Sequence, residues 1–243
     1  MIIGLIPSRL NSTRLKNKPL LEIDGLPLIV HTFKRAKLAQ SLDEVIVCTD
    51  SEKILNVVEQ HGGKAVLSSP KHINGTERIA EIAPKFEAKL IIDIQGDEPL
   101  VNPKDIDLVI NFHLDNPKFD IVVPSHPSPR AESKHIVKIV SNKRGKVLYF
   151  SRAEIPFLFN QAPEFYSKHL SIISFIPKVL NNFSKAKPTA LELTEGIELL
   201  RAIESDMKVG TFTIHGDSFP VDVKEDLLKA KKVMPNDPIR KLY

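Results

Sequence analysis

Two kinds of charge stand where they could do chemistry. The chain opens MIIGLIPSRLNSTRLKNKPL, an apolar run from Ile2 to Ile6 that breaks at Pro7 into a loop carrying Arg9, Arg14, Lys16 and Lys18. Phosphate-gripping loops after a first strand usually work through glycines and backbone N–H groups. Neither GxGxxG nor GxxxxGK[ST] is present, so a phosphate held here is held by side chains. Two acids follow apolar stretches further along: IIDIQGDEPLV carries Asp97 after Gln95 and Gly96, and FPVDVKEDL sets Asp222 ahead of a helical pattern. Ligands of open α/β sheets lie beyond the carboxyl ends of the strands, which would aim Asp97 at them, with Gly96 allowing a close backbone approach. Mg²⁺ takes one or two carboxylates and fills its octahedron with phosphate oxygens and water. Taken singly, Asp97 fits an acidic surface turn as well as a Mg²⁺ ligand, and Asp222 fits a helix N-cap. Together, cations that neutralise a triphosphate and two acids that hold a bridging metal make a nucleotidyl-transfer set.

Such residues need strand ends to stand on. Ile2–Ile6, Glu44–Cys48, Lys64–Leu67 and Leu90–Ile94 read as strands bounded by turn residues. Between them 26–40, 52–61 and 76–86 carry apolar residues at helical spacing. This alternation predicts a mostly parallel central sheet with helices on both faces. A helix after Pro103 and a strand at Ile121–Val123 continue the pattern. The second half changes: 136–140 and 146–150 flank Ser-Asn-Lys-Arg-Gly as a β-hairpin, and loops with Pro156 and Pro163 follow. A strand over 170–176, an amphipathic helix over 191–203, a strand over 208–214 and a closing helix over 222–233 complete the reading. No repeat or linker divides the chain, so residues 1–243 are expected to form one α/β domain with an antiparallel excursion.

Composition narrows the partners. Of 243 residues, 34 are Lys or Arg and 30 Asp or Glu, a net charge of +4. With no Trp and no aromatic-basic stripe, that excess does not support nucleic-acid binding and suits a small anionic ligand better. The one cysteine, Cys48, excludes an internal disulfide and a cysteine-based zinc site, and its apolar surroundings predict a buried, inert thiol. No stretch approaches the roughly 18 apolar residues of a membrane span. The N-terminus lacks a signal-peptide pattern, so the expected address is the cytoplasm.

PSRLNSTRLKNKPL, HINGTERIAE, DIQGDEPLV, VLYFSRAEIPF and VDVKEDL occur in this order over most of the chain. The set resembles the bacterial 3-deoxy-manno-octulosonate (KDO) cytidylyltransferases. The resemblance implies a nucleotide-diphospho-sugar transferase-like fold, a homodimer formed through the antiparallel excursion, CTP as substrate and Mg²⁺ as cofactor. The implied reaction joins the anomeric hydroxyl of a 2-keto-3-deoxy sugar acid to the α-phosphate of CTP, for lipopolysaccharide or other surface-glycan synthesis. By the same resemblance Arg9, Arg14 and Lys18 grip the triphosphate, Asp97 and Asp222 hold the metal, and Gln95 contacts the cytosine beside Asn74, Gly75 and Arg78. Arg152, His169 and Glu198 are the matching sugar-side residues.

The sugar side departs from the family's pattern. Where the family reads H-L-G-I-Y-G-Y, this chain has His169-Leu170-Ser171-Ile172-Ile173-Ser174-Phe175, replacing a sugar-binding tyrosine by Ile173. Where it reads E-x-L-E-Q-L-R, a glutamine has become Leu199. Losing two polar groups from one pocket should relax or redirect its choice of substrate. KDO leads, with an amino- or deoxy-substituted relative or another nonulosonate-like acid as the alternative, and a non-catalytic nucleotide-binding protein as the contrast.

Overall fold

In the computed structural model, residues 1–12, 14–129, 136–157, 159–160, 165–216 and 218–243 are described, so Pro163 lies outside them. The first half builds a parallel sheet from the predicted alternation. β1 (Ile2–Ser8), α1 (Leu28–Lys37), β4 (Glu44–Thr49), α2 (Glu52–Gln60), β5 (Lys64–Leu67), α3 (Gly75–Ile82), β6 (Leu90–Ile94) and α4 (Pro103–Asp115) follow one another, with a small hairpin, β2 (Glu22–Ile23) and β3 (Leu26–Pro27), ahead of α1. Strands β5, β4, β1 and β6 lie side by side and parallel. β1 runs on through Pro7 and Ser8, which face Cys48 and Thr49, so the strand outlasts the proline at which it was expected to break.

The second half makes the sheet mixed. β7 (Ile121–Ser128), β8 (Lys138–Ser141), β9 (Val147–Ser151), β10 (Tyr166–His169), β11 (Ile172–Phe175) and β12 (Val209–Thr213) extend it to ten strands among the described residues. β11 inserts antiparallel between β6 and β7, β12 lies parallel to β7, and β10, β8 and β9 form the antiparallel excursion. The hairpin turn takes Gly145 at φ 76°, a conformation glycine adopts without steric cost. The strand expected over 170–176 is β11, two residues shorter at its start and one at its end, because the chain turns at Leu170–Ser171 on leaving β10 and exchanges β8 for β6 as a neighbour.

Helices cover both faces. Ile79 of α3 packs with Leu5 and Ile91 on one face, together with Leu180 of α5 (Pro177–Lys185) and Leu200 of α7 (Leu199–Glu204). Ile29, Ile54 and Ile106 of α1, α2 and α4 pack with Ile6, Val47 and Ile92 on the other. Alternate residues of each inner strand serve opposite faces, and burying an isoleucine is favourable by about 1.5–3 kcal/mol, which is why these strands read as unbroken apolar runs. Cys48 belongs to this core, and burial pushes its thiol up to about 12, as its surroundings predicted.

The amphipathic pattern over 191–203 is two helices, α6 (Ala190–Glu195) and α7, because Gly196 turns left-handed at φ 63° and ends the first. α8 (Lys224–Val233) starts two residues later than expected; its N-cap position is Val223, not Asp222.

Candidate active site

The carboxyl ends of β1 and β6 open on a cleft of about 580 Å³, and a second cleft of about 300 Å³ adjoins it. Gly96 and Gly75 close the sheet end tightly. A Cβ on Gly96 would stand 2.5 Å from the carbonyl oxygen of Pro7, and one on Gly75 would stand 3.0 Å from the Pro7 ring. Glycine at 96 therefore lets the turn after β6 lie against the end of β1 and brings Asp97 over it.

Arg9, Arg14 and Lys18 line the larger cleft, whereas Lys16 is exposed outside it. Lys18 Nζ donates to Asp97 Oδ2 at 2.8 Å and to Asp222 Oδ1 at 3.1 Å, and Arg14 reaches the same Asp222 oxygen at 3.1 Å. The two acids, far apart in sequence, thus share one ammonium. The backbone repeats the link: the Val221 N–H donates to the Asp97 carbonyl at 2.9 Å. Asp222 accordingly points its carboxylate at the cations and does not cap a helix; Asp226 Oδ2 accepts from the backbone N–H groups of Asp222 and Val223 instead. Among the described residues no three His, Cys, Asp or Glu side chains converge as a closed metal cage. Two partly exposed carboxylates around one positive charge fit Mg²⁺, which needs few protein ligands when phosphates supply the rest.

Asn74 caps α3, its Oδ1 accepting from the Glu77 N–H at 2.8 Å, at the rim of the same cleft. Arg78 is buried in the cleft wall with its guanidinium 3.0 Å from Asp50. Asp50 follows β4 as Asp97 follows β6, so the strand-end rule that marked one acid could have marked the other. Gln95 borders both clefts, and its Nε2 donates to Asp93 Oδ2 at 2.9 Å. Asp93 is fully buried, and its other oxygen has no partner among the described residues. Burial, and then the nearby Glu198 carboxylate, hold its carboxyl well above the usual range. A lone acid inside the apolar run IIDI was the sequence signal for it.

The smaller cleft holds the sugar-side candidates. Glu198 Oε2 accepts from Thr76 Oγ1 at 2.7 Å, and burial pushes its carboxyl up. Arg152 lies on the break between α6 and α7, donating through Nε to the Glu195 carbonyl at 2.8 Å and through Nη2 to the Gly196 carbonyl at 3.1 Å. Its own carbonyl accepts from buried Lys138 Nζ at 2.7 Å. His169 packs edge-on to Phe150, its Nε2 has no partner among the described residues, and burial pushes the ring down to about 4, so it is neutral. Ile173 and Leu199 form an apolar part of this wall. Gln95, Asp97, Gly196 and Asp222 border both clefts, which puts the two acids at the junction.

A cleft lined by cations, joined to a second cleft through one acid beyond the end of β6 and a second from the segment before α8, is an arrangement suited to a nucleotide-handling α/β protein. The cytidylyltransferase family model matches residues 3–209. The 3-deoxy-manno-octulosonate cytidylyltransferase of Pelodictyon phaeoclathratiforme is 37% identical over 95% of this chain and 96% of its own, and that of Escherichia coli 34% identical over 96% of each. A solved CMP:2-keto-3-deoxy-manno-octonic acid synthetase in complex with CTP superposes with a TM-score of 0.93 at 34% identity, covering 97% of this chain and 98% of that one. The chain belongs to the 3-deoxy-manno-octulosonate cytidylyltransferase family.

Proposed function

We propose that the protein is a Mg²⁺-dependent cytidylyltransferase that couples CTP to the anomeric hydroxyl of KDO, giving a CMP-sugar and pyrophosphate for surface-glycan synthesis. The observation that carries this reading is the shared grip of Lys18 on Asp97 and Asp222 at the meeting of the two clefts. The triphosphate lies in the larger cleft against Arg9, Arg14 and Lys18, where Arg offers bidentate contacts and Lys a point charge. Gln95, Asn74, Gly75 and Arg78 surround the cytidine end, and Arg152, His169 and Glu198 hold the sugar acid. Asp97 and Asp222 would hold Mg²⁺, which when bound would supply charge neutralisation at the α-phosphate and acidify the anomeric hydroxyl. The sugar oxygen forms its bond to the α-phosphorus as the α–β phosphoanhydride bond breaks. The hydroxyl proton leaves to solvent, and the electron pair departs with pyrophosphate, whose charge Arg14 and Lys18 stabilise. Positioning and neutralisation carry most of such a transfer.

A second reading rests on Ile173 and Leu199. Both are buried in the wall of the smaller cleft, so a sugar acid with an altered hydroxyl finds fewer partners to satisfy there. Pyrophosphate release from CTP with KDO, an amino-substituted analogue and a nonulosonate separates these readings. Preference for KDO supports the first, and preference for another acid supports the second. CTP binding without release on any acid returns the protein to nucleotide binding alone.

Homodimerisation and a cytoplasmic address belong to the same proposal. No helix among the described residues is long and apolar enough to cross a membrane. Leu148 on the excursion and Phe157, Phe159 and Phe165 in the segment between β9 and β10 are exposed apolar side chains that a second copy would cover.

A further inference from the structure

Outside the clefts one guanidinium has every donor engaged. Arg35, on α1, is fully buried. Its Nη1 donates to the carbonyls of Leu100 at 3.3 Å and Val101 at 3.4 Å. Nη2 meets Asp237 Oδ2 at 2.7 Å and Met234 Sδ at 3.8 Å, and Nε donates to the Tyr243 hydroxyl oxygen at 3.2 Å. Five donors find five acceptors, which only an arginine can supply. Tyr243 is itself held from the far side. His31 Nε2 lies 2.6 Å from the Ile23 carbonyl, which only accepts, so Nε2 carries the proton and Nδ1 accepts from the Tyr243 O–H at 2.8 Å. Burial pushes the His31 ring down to about 4, in keeping with that neutral tautomer.

The partners of Arg35 come from two places. Leu100 and Val101 end the turn that carries Asp97. Met234 and Asp237 follow α8, whose first turn begins just after Asp222. We infer that Arg35 is a positioning residue that sets the spacing of Asp97 and Asp222, and that Asp237 and Tyr243 are the clasp through which it does so. The inference rests on the proposed metal role of the two acids. A guanidinium buried among two carbonyls, a carboxylate, a hydroxyl and a thioether joins the segments behind both acids at one rigid point. Partners that orient metal ligands in this indirect way commonly change metal affinity by about 10–100-fold when removed.

The test is Mn²⁺ binding in the presence of CTP, followed by paramagnetic resonance, beside the KM for sugar acid and the melting temperature. Tyr243→Phe keeps the ring and deletes the oxygen between His31 and Arg35. Asp237→Asn keeps the shape and deletes the charge, and Arg35→Lys offers three donors for five acceptors. Tyr243→Phe and Asp237→Asn are expected to fold and to weaken Mn²⁺ by roughly tenfold, with the KM for sugar acid unchanged. If Arg35→Lys does not fold, these two decide. Mn²⁺ binding unchanged in both overturns the inference whatever the melting temperature does, as does an equal loss of Mn²⁺ and sugar binding, which a purely structural clasp would give. Asp97→Asn separates the two levels. If it leaves Mn²⁺ binding intact, the metal reading itself fails and the inference falls with it; if it abolishes binding while the clasp variants do not weaken it, only the inference falls.

Discussion

At the scale of residues, the account depends on two carboxylates acting as one. Asp97→Asn and Asp222→Asn should each lower kcat by at least about 100-fold, beyond the loss seen when only a supporting partner is removed. The melting temperature should hold, because both side chains are partly exposed and their removal leaves no cavity. Near-normal turnover at ordinary Mg²⁺ would remove that residue from the metal site. These acids were legible in the sequence because each follows an apolar strand-like run. Asp93 lies inside the run before Asp97 and Asp50 follows β4, but the burial of the one and the ion pair of the other with Arg78 show only when distant segments meet. His169 gives a pH signature. The unfolded chain takes up this proton near 6.5, while the folded ring resists it down to about 4. Over that window the unfolded state binds more protons, so the contribution of His169 to stability is complete above 6.5 and is lost as pH falls toward 4. Melting curves of the parent and His169→Gln from pH 7 to 4 should therefore converge on acidification, apart from a constant offset. Parallel curves would mean that the ring titrates normally.

At the scale of elements, the break between α6 and α7 decides the shape of the smaller cleft. Sequence periodicity merged the two helices because apolar spacing survives across Gly196, and a single glycine inside a helical pattern does not by itself announce a left-handed turn. The break exposes the Glu195 and Gly196 carbonyls to Arg152 and lets Glu198 meet Thr76. A Cβ at 196 meets nothing within 4 Å, so the cost of Gly196→Ala is conformational, about 1–2 kcal/mol. We expect a matching fall in denaturant midpoint and a raised KM for sugar acid with the KM for CTP little changed. Equal effects on both KM values would show that the break serves the whole fold and not the sugar cleft. The same cleft carries the two departures in its wall. Restoring Tyr at 173 and Gln at 199 should shift kcat/KM toward KDO over an amino-substituted analogue by roughly a few-fold to tenfold per site, the yield of one hydrogen bond. An unchanged ratio would make the departures packing drift.

At the scale of the whole molecule, the parallel half was readable because strands buried on both faces leave unbroken apolar runs between amphipathic helices. The mixed half was harder: β11 sits between β6 and β7 by long-range pairing that no local pattern encodes. The excursion was visible as a hairpin, but no local pattern marked Phe157 and Phe159 beyond it as exposed. Light scattering should give a dimer mass for the parent and a shift toward monomer for Phe157→Asp with Phe159→Asp; a monomeric parent would contradict the proposed assembly. Transfer of a cytidylyl group from CTP to a sugar acid is tested by the fate of each phosphorus. CTP labelled at the α- or the γ-phosphorus, incubated with KDO and Mg²⁺, should put the α label on the sugar acid and the γ label in pyrophosphate. A γ label on the sugar or in orthophosphate, or an α label that stays on free CMP in the presence of the acid, would contradict the account.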